Sequence, residues 1–230
     1  MTFYLIGLGL NEKSLSLEAL DVLKKSKEIY LENYTVEFPY EKEELEKTIG
    51  KKISELGREQ VEGEDFLDKG KKEDIALLVY GSPLVATTHV SLLLKCKKDK
   101  IKYKIFQNAS IFDAVAETGL QIYKFGKTAS MPSWTENYKP KSFVEIIKDN
   151  KKIKAHTLIL VDIGLDSKQA LNQLKESYKA DKLIVCSKLG TDNKKIFYDK
   201  IENLMKKKIQ EPISIIIPGN LHFKEKEMLK

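Results

Sequence analysis

Phe3-Tyr4-Leu5-Ile6-Gly7-Leu8-Gly9-Leu10 decides the fold class. Four residues suited to a pleated, buried surface run into two glycines one residue apart, so the stretch reads as a strand that ends in a tight turn. Leu17, Leu20 and Leu23 follow at three-residue spacing, with Glu18, Asp21 and Lys24 between them, and predict a helix with one apolar face. Ile29-Tyr30-Leu31 predicts a second strand. Strand, helix and strand in that order form the unit from which parallel sheets are built.

Outward from this unit the rhythm continues. A polar, acidic stretch over 41–47 predicts an exposed helix, and 74–79 predicts a strand that stops at Gly81-Ser82-Pro83, where proline removes a backbone donor. Val90, Leu93, Leu94 and Lys97 mark another helix, 102–106 another strand, and Asn108-Ala109-Ser110 the next turn, with a helix from Ile111. Beyond Gly119 the pattern resets. Residues 123–127 read as a linker between two sheets, which divides the chain into an N-terminal α/β domain over 1–122 and a C-terminal α/β domain over 123–230. In the second half, strands are expected at 157–163, 182–186 and 214–217, and helices at 142–148, 167–178 and 196–207.

Composition narrows the function. The chain has 230 residues and 42% hydrophobic content, enough for a real core. No apolar run approaches the roughly 20 residues that span a bilayer, and the opening strand has no basic flank and meets Glu12 and Lys13 at once. Cys96 and Cys186 lie in separate apolar segments without a second cysteine or histidine at ligand spacing, so neither a disulfide framework nor a metal site is expected, and a reducing, cytoplasmic compartment follows. The net charge of +6 raises the question of nucleic acid. Lys and Arg total 40, yet Arg58 is the single arginine. Nucleic-acid readers depend on the forked guanidinium, which lysine does not copy, so no nucleic-acid partner is expected.

Three strands of the first half end in turns of small residues: Gly7-Leu8-Gly9-Leu10, Gly81-Ser82-Pro83-Leu84-Val85 and Asn108-Ala109-Ser110-Ile111. In a parallel sheet the carboxyl ends of the strands share one edge, so these turns are expected to converge on one ligand crevice. A dinucleotide is the first ligand to weigh, because Gly7-x-Gly9 follows a strand and Glu32 ends the next one. That fingerprint needs a third small residue where Glu12 stands, and a carboxylate there repels a pyrophosphate. His89 ends the run Ala86-Thr87-Thr88-His89 and is expected to cap or pack at the start of the next helix rather than act as a base, with Thr87 and Thr88 satisfying helix-terminal backbone donors.

Gly81-Ser82-Pro83-Leu84-Val85-Ala86-Thr87-Thr88-His89, Asn108-Ala109-Ser110-Ile111, Gly119-Leu120-Gln121-Ile122-Tyr123-Lys124-Phe125-Gly126 and Pro218-Gly219-Asn220-Leu221-His222 together resemble the diphthine synthase family, a branch of the tetrapyrrole methylase class of methyltransferases. The resemblance runs in order along essentially the whole chain. It implies two α/β domains with S-adenosyl-L-methionine in a cleft between them, a homodimer, and translation elongation factor 2 as the protein substrate, methylated on a modified histidine in the cytoplasm. It also implies cofactor contacts at Leu10, Ser82, Val85, Ser110 and Ile111, and, by a looser match, at Val161, Leu189 and Ile213. No catalytic residue, metal or membrane contact is implied.

One position departs from the family: Ser82 stands where the family has aspartate. A hydroxyl in place of a carboxylate gives up a charge-assisted hydrogen bond, so weaker cofactor binding is expected. Two other readings share the fold: a methyltransferase acting on a tetrapyrrole, and a protein that binds the cofactor or the elongation factor without turnover. A macrocycle with many carboxylates calls for several arginines, and Arg58 alone argues against it.

Overall fold

The computed structural model describes residues 1–230, which divide into two compact units, Met1–Ile111 and Phe112–Lys230. The first unit runs β1 (Thr2–Gly7), α1 (Leu17–Lys25), β2 (Glu28–Glu32), α2 (Lys42–Ile49), β3 (Ser54–Leu56), α3 (Arg58–Glu62), β4 (Ile75–Val79), α4 (Val90–Lys98) and β5 (Lys102–Phe106). Its five strands lie in the order β3-β2-β4-β1-β5 and every pair is parallel. Both faces are covered. Along β4, Ile75, Leu77 and Val79 join Leu92, Leu93 and Cys96 of α4 in one core, while Ala76 and Leu78 join Ala19, Leu23, Leu45 and Ile49 of α1 and α2 in another. The period-2 alternation of a strand thus feeds two helix layers, which is why β4 is apolar at every position.

The helices of the first unit exist where the spacing predicts them, but two of their faces differ. Leu17 is 82% exposed, and α1 buries Ala19 and Leu23 instead. Residues 17 and 23 are six apart and so point about 120° apart around a helix, whereas 19 and 23 fall within about 40°. In α4 the buried residues are Leu92, Leu93 and Cys96, and Val90 and Leu94 face solvent. The acidic α2 is anchored by fully buried Leu45 and Ile49.

The short α5 (Ile111–Ala114) carries the junction between the units. The second unit continues with β6 (Ala129–Met131), α6 (Ser142–Lys152), β7 (Thr157–Val161), α7 (Ser167–Ser177), β8 (Leu183–Ser187), β9 (Lys195–Asp199), α8 (Ile201–Leu204), β10 (Ile213–Ile217) and α9 (Phe223–Met228). Its sheet has the order β6-β7-β10-β8-β9. It is mixed: β6 and β7 are parallel, and β10 is antiparallel to β7 and to β8. The helix expected over 196–207 is instead the strand β9 followed by the single turn α8. Ile196-Phe197-Tyr198 are β-branched and aromatic, and they complete the sheet by pairing antiparallel with β8.

The units divide between Ile111 and Phe112, ahead of the 122/123 boundary read from the sequence. The reason lies in the partners of residues 117–124. Glu117 accepts a hydrogen bond from Gly190 N at 3.1 Å, and Glu225 of α9 accepts from Gln121 N at 3.0 Å and from Lys124 Nζ at 2.5 Å. Glu225 is fully buried, as is His156. The Gly219 N–H donates to His156 Nδ1 at 2.8 Å, so the ring proton sits on Nε2, which faces Glu225 Oε1 at 3.2 Å. His222 N adds a further bond to Glu225 Oε2 at 2.6 Å. Together these bonds clasp α9 to the 121–124 segment and to the start of β7.

Candidate active site

β1 ends at Gly7, and its turn is held by backbone bonds to the turn after β4. Leu8 N donates to Val79 O at 2.8 Å, and Gly9 and Gly81 exchange both of their bonds, at 3.0 and 2.9 Å. Gly9 and Gly81 have φ of 69° and 71°, the left-handed region that only glycine enters without strain. At Gly7 the constraint is space. A Cβ there would stand 2.6 Å from Gly81 O, 2.9 Å from Pro83 Cδ and 3.1 Å from Asn108 Cβ. Asn108 Nδ2 completes the junction, donating to Gly7 O at 3.1 Å and to Ser14 O at 2.8 Å. The three turns therefore meet at the carboxyl edge of the first sheet. Gly7 and Gly9 are needed so that protein can touch protein, and Gly81 for its backbone conformation.

On these turns stand five of the expected contacts. Leu10, Ser82 and Ser110 are buried, at 7%, 5% and 5% exposure, and Val85 and Ile111 are half-buried. Tyr80 donates to Leu10 O at 3.1 Å from an aromatic cluster with Phe38 and Tyr40. Ser82 Oγ donates to Gln107 Oε1 at 2.7 Å. Nothing in the sequence marks Gln107 or Tyr80 beyond their standing next to the motif turns.

The loop from Ser82 to His89 is braced on one atom. Val85 N bonds Ser82 O at 3.1 Å, and Ala86 then takes φ of 56°, unusual for a residue with a side chain. Thr87 Oγ1 donates to Pro83 O at 2.9 Å, and His89 Nδ1 lies 3.1 Å from the same oxygen. A carbonyl only accepts, so Nδ1 carries the proton and Nε2 faces the Tyr34 hydroxyl at 3.5 Å. His89 is 1% exposed. It packs under the loop, and its side chain makes no capping bond to α4. Thr87 likewise donates to a loop carbonyl and does not accept from the helix terminus as expected. Tyr34 extends the brace: burial, with Glu32 and Glu62 nearby, pushes its phenol up to about 12, and Arg58 lies over its ring at 5.2 Å.

The three remaining positions share an edge of the second sheet. Ile213 begins β10 where β7 and β8 end, since Ser214 pairs with Leu160 and Ile213 with Ser187. Val161 is the last residue of β7 and pairs with Met131. Leu189 follows Lys188, whose N–H bonds Pro212 O at 2.9 Å.

No lysine, arginine or carboxylate lies in turns 7–11, 81–89 or 107–111. Turns that offer only backbone amides, hydroxyls and Leu, Val and Ile side chains suit a nucleoside without phosphates.

Comparisons with known proteins agree with this chemistry. The family model for tetrapyrrole (corrin/porphyrin) methylases matches residues 2–205. Diphthine synthase of Methanocaldococcus jannaschii is 39% identical, over 98% of this chain and 96% of its own length. Diphthine methyl ester synthase of Schizosaccharomyces pombe is 34% identical, over 99% and 93%. A crystal structure of diphthine synthase superposes with a TM-score of 0.91 at 31% identity, covering 100% of this chain and 94% of the other. The chain belongs to the tetrapyrrole methylase family and, within it, to the diphthine synthases, methyltransferases of diphthamide biosynthesis.

Proposed function

We propose that this methyltransferase uses S-adenosyl-L-methionine to methylate the modified histidine of translation elongation factor 2. Leu10, Ser82, Val85, Ser110 and Ile111 would hold the cofactor at the edge of the first sheet, and a further set of contacts falls to Val161, Leu189 and Ile213 at the edge of the second. The observation that carries the reading is the meeting of three uncharged turns at Gly7. The cofactor, when bound, supplies a methyl group already activated by its sulfonium. The chain's own task is to fix the nucleoside through backbone groups and small side chains, to keep water from the reacting centre and to admit a neutral amine. Burial favours the unprotonated amine, so no side-chain base is required. His89, with both ring nitrogens turned to protein groups, is not placed to act as one.

The reading includes a homodimer in the cytoplasm. Similarity to a methyl ester synthase favours a second product as well, in which a carboxylate of the same side chain is esterified. Incubation with labelled cofactor and elongation factor 2 carrying the unmethylated precursor tests both. Label is expected on the elongation factor, and mild base releases ester methyls while leaving those on nitrogen. Label that stays off the elongation factor, or moves to a tetrapyrrole, refutes the substrate.

A further inference from the structure

We infer that Gln107 is a positioning residue that turns the Ser82 hydroxyl into a dedicated acceptor for an N–H or O–H group of the bound nucleoside; the inference rests on the cofactor reading above. A serine hydroxyl carries one proton and two lone pairs, and it presents either to a ligand according to its rotation. Here the rotation is set. The amide oxygen of Gln107 has no proton to give, so Ser82 Oγ donates along the 2.7 Å bond and keeps its lone pairs for another partner. No protein group donates to that oxygen, and at 5% exposure the side chain is largely out of bulk water.

The position of Gln107 is itself fixed by its neighbours. It follows Phe106, the last residue of β5, and precedes Asn108, which is tied to Gly7 O and Ser14 O. β1 lies between β4 and β5, so the bond from Ser82 to Gln107 passes over the end of β1, where Gly7 has no side chain. The result restores the polarity of a carboxylate, an oxygen that only accepts, without the charge. Groups suited to it are the hydroxyls of a ribose or an ammonium.

Titration calorimetry with S-adenosylhomocysteine tests the role, using intact protein and variants at Gln107, whose side chain is exposed. Gln107→Leu frees the hydroxyl proton and is expected to weaken binding roughly fivefold, the size of one neutral hydrogen bond. Gln107→Glu keeps an acceptor at the same reach and is expected to hold wild-type affinity or better, a rescue that mere loss of packing would not show. In a Ser82→Ala background, Gln107→Leu is expected to cost nothing further, because Gln107 acts only through Ser82. Unchanged binding by Gln107→Leu, equal losses in the Leu and Glu variants, or an additive loss on Ser82→Ala would overturn the role while leaving the cofactor reading in place. Failure of the wild-type protein to bind S-adenosylhomocysteine overturns that reading, and this role with it.

Discussion

At the carboxyl edge of the first sheet the chain is joined by neutral groups: paired glycine amides, the Asn108 carboxamide, and the Thr87 and His89 donors on Pro83 O. Around Glu225 in the second unit it is joined by charge, with one buried carboxylate receiving Lys124, His156 and two backbone amides. The neutral junction carries the turns at which we propose that the cofactor binds. The charged clasp belongs to the second unit and holds α9 in place there. The difference separates what binding depends on from what folding depends on, and substitutions in the two places should fail in different ways.

Glu225→Gln is expected to have the largest effect on stability. It removes the charge and leaves Lys124, His156 or a backbone amide without its partner in a fully buried position, at a cost of about 3 kcal/mol. Urea unfolding should show the loss, and the folded fraction should still bind S-adenosylhomocysteine. A midpoint equal to wild type would mean that the clasp contributes little.

Gly7→Ala inverts that pattern. The new Cβ would lie 2.6 Å from Gly81 O, which is backbone and cannot swing aside, so the turns must separate. A stability loss of about 2 kcal/mol is expected, the usual scale for overpacking, with binding of S-adenosylhomocysteine lost more completely than in Glu225→Gln. Binding that survives at wild-type affinity would detach the cofactor from this junction.

These two places were not equally legible in the sequence. The turns at Gly7, Gly81 and Asn108 announce themselves because each follows a strand directly and is built from Gly, Pro, Asn and Ser, the residues that turns favour. Their convergence then follows from parallel topology alone. The clasp gave no such sign, because Lys124, His156 and Glu225 are scattered along the chain and share no spacing. Gln107 was missed for the same reason: its role exists only through a bond to a residue 25 positions away. The strands β3 and β6, of three residues each, are too short for alternation to register. β9 reads as helix in the sequence because its short apolar core, Ile196-Phe197-Tyr198, is flanked by charged residues that continue into the true helical turn at 201–204.

Acidification offers the subtlest way to sharpen the contrast. Burial opposes ionisation of Glu225, but the bonds from Lys124, Gln121, His222 and His156 outweigh it and hold the carboxyl down at about 2, against an ordinary 4.5. A lowered carboxylate value stabilises the fold fully above the ordinary value, and that contribution drains away as pH falls from about 4.5 toward 2. Burial also holds the His156 imidazole below its ordinary 6.5, against the pull of Glu225, so the unfolded chain takes up that proton first. Its contribution is likewise present above 6.5 and is lost as pH falls. Both groups therefore weaken the second unit on the acid side, and the junction at Gly7 is built without a titrating group. Amide exchange followed from pH 6.5 downward should show Gln121 and His222 losing protection before Gly9 and Gly81. The same order of loss in Glu225→Gln would show that some other group, and not this carboxylate, sets the acid limit of the clasp.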